Sequence, residues 1–177
     1  MRVLVTAASR HGATAEIAEA IARGLATYGL DASARAIDEV GSLDEYDAVV
    51  LGSAVYMGRW MNSARDFAES IGRSLVPRTV WLFSSGPLGD PDHLKPEGDP
   101  VDVAPLIATT QARGHRVLAG RLDRARLNFR EKAVAIGVRA PDGDFRDWEA
   151  IDAFAAEIAS DLSGQTADRS PLRAPAG

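Results

Sequence analysis

The chain has 177 residues, 46% of them hydrophobic and 25% charged, which suits a single soluble domain with a substantial core. Twenty basic residues against 25 acidic ones leave a net charge of −5, which argues against nucleic acid as a general partner. With no cysteine, disulfides, thiol redox chemistry and cysteine-ligated iron–sulfur clusters are excluded, so redox work would need a bound organic cofactor.

Strand and helix signals alternate from the first residues, predicting an α/β domain with a parallel sheet. Val3–Thr6 reads as a buried strand. Ala13–Tyr28 carries Ile17, Ile21 and Leu25 at four-residue steps, the stripe of an amphipathic helix, with Gly29 as its stop. Asp31–Ala36 is a weakly alternating strand for the sheet edge. Ala48–Leu51 is a strong central strand ending at Gly52-Ser53. Ala64, Phe67, Ala68, Ile71 and Leu75 mark a second helix, with Pro77 just beyond it. Val80–Phe83 is another buried strand. A helix is predicted over Val101–Arg113, a last strand over His115–Ala119 and a final helix over Arg146–Leu162, which makes a three-layer sandwich. Residues 163–177 are small, polar and proline-containing and read as a disordered tail. Met1–Val5 is too short for a signal-peptide core, and no run approaches the roughly 20 apolar residues of a membrane span, so the expected location is cytoplasmic.

Three segments follow strands and so fall on one edge of such a sheet, where ligands bind at the point of strand-order reversal. Ser9-Arg10-His11-Gly12-Ala13-Thr14 joins the first strand to the first helix. Its hydroxyls, its glycine and the N–H groups of the helix start form a cradle for a phosphate. The loop has no lysine, so neutral donors would hold a phosphomonoester there. The second segment, Ser53, Ala54, Tyr56, Met57, Gly58, Arg59 and Trp60, offers aromatic and glycine-rich surface. The third, Ser84, Ser85, Gly86, Pro87, Leu88 and Gly89, offers a second glycine-rich wall. Together they suit a flat, phosphorylated heteroaromatic ligand.

This pattern resembles the flavodoxin-like family of FMN proteins, whose phosphate loop Thr/Ser-x-Thr-Gly-x-Thr is matched by Ser9, Gly12 and Thr14. His11 replaces the middle threonine, exchanging a hydroxyl for an imidazole N–H donor. Tyr46-Asp47, Leu51-Gly52-Ser53, Gly58-Arg59-Trp60, Leu118–Leu122 and Asp147-Trp148-Glu149 resemble the menaquinone-dependent protoporphyrinogen dehydrogenase branch. In that branch a longer and less polar insertion stands at about residues 120–145.

The resemblance implies a flavodoxin-like, doubly wound five-stranded sheet of order 2-1-3-4-5 over residues 1–162. It also implies noncovalent FMN held by the three segments, with Tyr56 or Trp60 beside the ring and Arg59 tuning its charge. The implied activity is that of an FMN-dependent oxidoreductase taking electrons from a redox substrate, with a quinone among its acceptors. A flavodoxin-type carrier serving a redox protein partner, and a cofactor-free binding or regulatory module, stay open beside it.

Gly120–Arg139 holds six basic residues against two acidic ones, which suits either a solvated face or a peripheral contact with anionic lipid. His11, His93 and His115 lack metal-ligand spacing, so no metal site is expected. No side chain stands out as a catalytic acid or base.

Overall fold

The computed structural model describes residues 1–56, 58–74, 76–86, 103–123, 125, 127 and 142–168. The elements run β1 (Arg2–Ala8), α1 (Ala13–Thr27), β2 (Asp31–Ala36), a 3-10 turn (Ile37–Glu39), β3 (Ala48–Tyr56), β4 (Arg59–Trp60) and α2 (Asn62–Gly72). After these come β5 (Thr79–Gly86), α3 (Ala104–Thr110), β6 (Gly114–Ala119), β7 (Arg121–Leu122), β8 (Gly143–Asp144) and α4 (Trp148–Asp168).

The main sheet has the order β2-β1-β3-β5-β6, all parallel, with the two-residue β4 folded back antiparallel on β3. Setting β4 aside gives the predicted order 2-1-3-4-5. The strand order reverses between β1 and β3, which places the crevice above the ends of those two strands.

The central strands are buried on both faces, so they read as continuous apolar runs rather than alternating ones. Val3 and Val5 of β1, Val50 of β3 and Phe83 of β5 pack with Ile17, Ile21 and Leu25 of α1 and Ile151, Phe154 and Ile158 of α4. The intervening side chains Leu4, Val49, Leu51, Val80 and Leu82 pack the other way, with Ala64, Ala68 and Ile71 of α2 and Leu106 of α3. The period-two alternation of a strand thus builds two cores from one sheet.

Several boundaries differ from the sequence reading. Both β3 and β5 continue through the residues read as loops, because Ser53 pairs in register with Ser84 and Ala54 with Ser85. Ser53, Ser84 and Ser85 are buried between central strands, where small residues fit. Residues of turn-like composition therefore lie inside strands. The third helix is the shorter Ala104–Thr110, ended by Gln111 in the left-handed conformation at φ 54°.

The final helix passes Leu162 and runs to Asp168, so the first six residues of the expected tail are helical. The first proline beyond Leu162 is Pro171, so nothing before it forbids helical propagation. The rest of that expected tail, 169–177, lies outside the described residues.

Candidate functional site

The ends of β1 and β3 and the start of α1 build the site. β1 delivers the chain to Ser9, whose Oγ accepts the Gly12 N–H at 3.1 Å and closes a tight turn. Gly12 has φ 89°, a backbone state that costs a glycine little and an L side chain much more. No side chain caps α1, and its first backbone bond runs from Glu16 N–H to the Gly12 carbonyl. The N–H groups of Ala13, Thr14 and Ala15 therefore have no acceptor within the helix. Thr14 is 3% exposed at this same turn. Uncapped amides, a left-handed glycine and a buried hydroxyl form a donor set that fits a phosphomonoester.

β3 delivers Tyr56 to the same edge. There the chain reverses through Gly58, at φ 73°, so that Tyr56 pairs with Arg59 and Val55 with Trp60. Tyr56 is 37% exposed, and the exposed Arg10 guanidinium lies 5.6 Å from the centre of its ring. The first and second predicted segments therefore meet across the crevice. A groove of about 560 Å³ opens on the other flank of Ser9, bounded by Ala34, Ile37, Asp38, Met61 and Ser63.

The other predicted site residues divide. His11 is half-buried in the turn beside Gly12, and Arg59 is exposed next to Tyr56. Trp60 is a core residue, only 3% exposed, and packs among Leu51, Val55 and Leu82. Its indole N–H donates to Ser84 Oγ at 2.7 Å, and that oxygen also lies 2.8 Å from His115 Nε2. Of the two aromatics of this segment, Tyr56 is therefore the exposed one and Trp60 belongs to the core.

Ser53 Oγ donates to the Ala54 carbonyl at 2.8 Å and accepts the Met61 N–H at 3.0 Å, which ties the base of the β3–β4 turn to the start of α2. The hydroxyls of Ser53 and Ser84 thus hold the scaffold together. Ala54, Ser85 and Gly86 lie at the strand ends. Met57, Pro87, Leu88 and Gly89 lie outside the described residues.

One feature escaped the sequence reading. Glu16, in the first turn of α1, receives Arg121 Nη2 on one carboxylate oxygen at 3.2 Å and Arg146 Nη1 on the other. Arg146, with its side chain 5% exposed, also donates to Asp144 at 2.6 Å and lies over the Trp148 ring. The hydrogen bond from Arg146 holds Glu16 below the usual carboxylate range, and the same guanidinium does so for Asp144. Asp144 in turn raises Arg146, ahead of Glu16.

Arg121 and Asp144 are register partners in the two-residue β7–β8 ladder, so the network fastens that ladder to the turn holding Gly12. Arg121 was expected to belong to a basic run; it is half-buried and pairs with Glu16. Arg124, Arg126, Arg130, Lys132 and Arg139 of that run lie outside the described residues.

A doubly wound parallel sheet whose switch point carries a helix start without a side-chain cap is the architecture of nucleotide-binding α/β proteins. A family model described as flavodoxin domain matches residues 4–146, and the chain belongs to that family. Membership identifies FMN as the cofactor, and the chain as a flavin-binding redox protein.

Among solved structures, the fold is similar to a flavodoxin from the domain Archaea, with TM-score 0.62 and 17% identity over 92% of this chain and 99% of that one. It is likewise similar to the Streptococcus pneumoniae TIGR4 flavodoxin, with TM-score 0.60 and 21% identity over 91% and 99%. Rubredoxin oxygen:oxidoreductase from Desulfovibrio gigas shares the fold with TM-score 0.61 and 12% identity, over 94% of this chain and 37% of that one. A comparison with curated proteins gave no match. No helix among the described residues is long and apolar enough to cross a membrane.

Proposed function

We propose that this chain is an FMN-dependent electron-transfer protein of the flavodoxin type, serving a redox protein partner. The observation that carries this reading is the meeting of the Ser9–Thr14 turn with Tyr56 at one sheet edge, bridged by Arg10. FMN supplies the redox chemistry when bound, because its ring takes up and releases electrons one or two at a time. The residues divide the remaining work. The free amides at the start of α1 and the Thr14 hydroxyl would hold the phosphate. Tyr56 presents a flat face that would exclude water from one side of the ring.

Arg59, exposed beside Tyr56, places a positive side chain at the described rim of the crevice within a chain of net charge −5. Such a rim favours partners with a carboxylate-bearing docking face, since complementary charge steers association.

The narrower reading is an oxidoreductase of the protoporphyrinogen dehydrogenase type with a quinone acceptor and peripheral contact with anionic lipid. It rests on the resemblance of Gly58-Arg59-Trp60, Leu118–Leu122 and Asp147-Trp148-Glu149, while the segment at about 120–145 departs from that branch. One set of measurements separates the readings. Purified protein should show flavin absorbance, or take up FMN when titrated, and the reduced holoprotein should deliver electrons to a protein acceptor such as cytochrome c. Failure to take up FMN would overturn both redox readings and leave the cofactor-free module. Steady turnover of a porphyrinogen with a quinone would favour the dehydrogenase over the carrier.

A further inference from the structure

We propose that Arg121 is a specificity-determining residue of the phosphate site, a cation supplied from outside the Ser9–Thr14 loop, whose own Arg10 lies over the Tyr56 ring instead. The proposal rests on FMN as the cofactor and goes beyond it in assigning a charge contact that lies far outside the loop in sequence.

The carboxylate of Glu16 stands between Arg121 and the turn. Its Oε1 accepts Arg121 Nη2 at 3.2 Å, and the same oxygen lies 3.9 Å from where a Cβ on Gly12 would stand. The guanidinium of Arg121 is therefore one carboxylate oxygen away from the residue that opens the helix. Its side chain is 24% exposed, so part of it meets solvent while part is sheltered.

A carboxylate in this position is a liability for a site that receives a dianionic phosphate. At separations of a few ångströms two like charges repel appreciably even at the screened dielectric of a protein surface. Arg146 and Arg121 cancel the charges of Glu16 and Asp144, so the four side chains together are neutral.

The two arginines are not equivalent. Arg146 is nearly fully buried and binds both carboxylates, which makes it the anchor. Arg121 is more exposed and hangs on the oxygen that faces Gly12. Planar guanidinium groups bind carboxylate and phosphate oxygens with the same fork of N–H donors, so Arg121 can share its donors between Glu16 and a phosphate. Glu16 then aims the guanidinium at the turn, while the β7–β8 pairing fixes the backbone from which it extends.

The test compares FMN with riboflavin, which carries the same ring and lacks the phosphate. Dissociation constants for both are measured by fluorescence quenching in the wild type, Arg121→Gln and Arg121→Lys, each at low and high sodium chloride. Arg121→Gln should weaken FMN about tenfold, as expected for loss of a charge-assisted hydrogen bond, and leave riboflavin within about twofold. Arg121→Lys should recover part of the FMN affinity. The salt dependence of FMN binding should be shallower in Arg121→Gln than in the wild type.

Equal weakening of FMN and riboflavin would mean that Arg121 only holds the ladder in place, and would overturn the proposal. Unchanged FMN affinity in Arg121→Gln would overturn it as well. A wild type that binds neither flavin would remove the cofactor assignment and this inference together. That failure is seen before any variant is made, so it is distinguishable from the other two.

Discussion

Gly52 is the position where one added carbon should do most damage to the edge of the sheet that carries the site. It lies in β3 between Leu51 and Ser53, opposite Phe83 of β5 in the parallel register. A Cβ built on Gly52 would stand 2.1 Å from Phe83 Cζ, 2.3 Å from Cε1 and 2.5 Å from Cε2. Carbon atoms pack at about 3.5–4.0 Å, so the ring must retreat by more than about 1 Å. Phe83 has no exposed surface and is enclosed by the α1–α4 core, so it has nowhere cheap to go.

Overpacking of this kind costs about 1–3 kcal/mol, and we place Gly52→Ala near the upper end because both strands are central and hydrogen-bonded on each side. With a urea slope of about 1–3 kcal/mol/M, the unfolding midpoint should fall by about 1–2 M. Gly52→Ala should also weaken FMN binding, since Ser53 follows directly and anchors the turn that presents Tyr56. Phe83→Leu in the same background should relieve the clash. Urea unfolding of the four proteins should then show the double variant at least about 1 kcal/mol more stable than the summed single effects. Strict additivity, or a Gly52→Ala protein within about 0.5 kcal/mol of wild type, would refute the reasoning.

Three further outcomes follow from the site. Ser9→Ala combined with Thr14→Ala removes the hydroxyl that shapes the Gly12 turn and the buried one beside it. FMN should bind at least about tenfold more weakly in a fluorescence titration, with riboflavin much less affected. Trp60→Phe deletes a buried donor to Ser84 and should cost about 1–2 kcal/mol in urea unfolding. The cost should shrink when Ser84 is already alanine.

Glu16 and Asp144 are held below their ordinary range by Arg146, so their contribution is complete above the unfolded values near about 4.3 and 3.9. It is lost as pH falls through the lower folded values. Both side chains are 44% exposed, which limits the pair to about 1 kcal/mol. Wild type should therefore lose more stability between about pH 5 and 3 than Glu16→Gln with Asp144→Asn, measured by urea midpoints.

The layering of the fold is legible in the sequence because burial leaves a period. Val3–Val5, Ala48–Leu51 and Val80–Phe83 are unbroken apolar runs, as strands covered on both faces must be, and Ile17, Ile21 and Leu25 repeat at the spacing of a helix. The strand ends are less legible. Serine and glycine mark turns by preference, yet Ser53, Ser84 and Gly86 lie buried in β3 and β5, which carry on in register past their apolar runs. Trp60 is hard to read for a related reason. As a loop aromatic it suggests a ligand face, but its pairing with Val55 in a short hairpin turns it into the α2 side of the core. The alternation between Trp60 and the exposed Arg59 carries that signal, over too few residues to be distinctive.

The network around Glu16 is illegible for a different reason, since its members are 105 and 130 residues apart along the chain. In sequence they are three ordinary features: an acid in a helix's first turn, the start of a basic run, and a residue just before the last helix. Only the topology relates them. Because α1 and α4 cover the same face of the sheet, the chain leaving β6 and the chain entering α4 both pass the start of α1. A phosphate loop whose own cation, Arg10, lies over Tyr56 thereby acquires charged neighbours from far along the chain. Its affinity for a dianion then depends on how that charge is shared between Glu16 and Arg121.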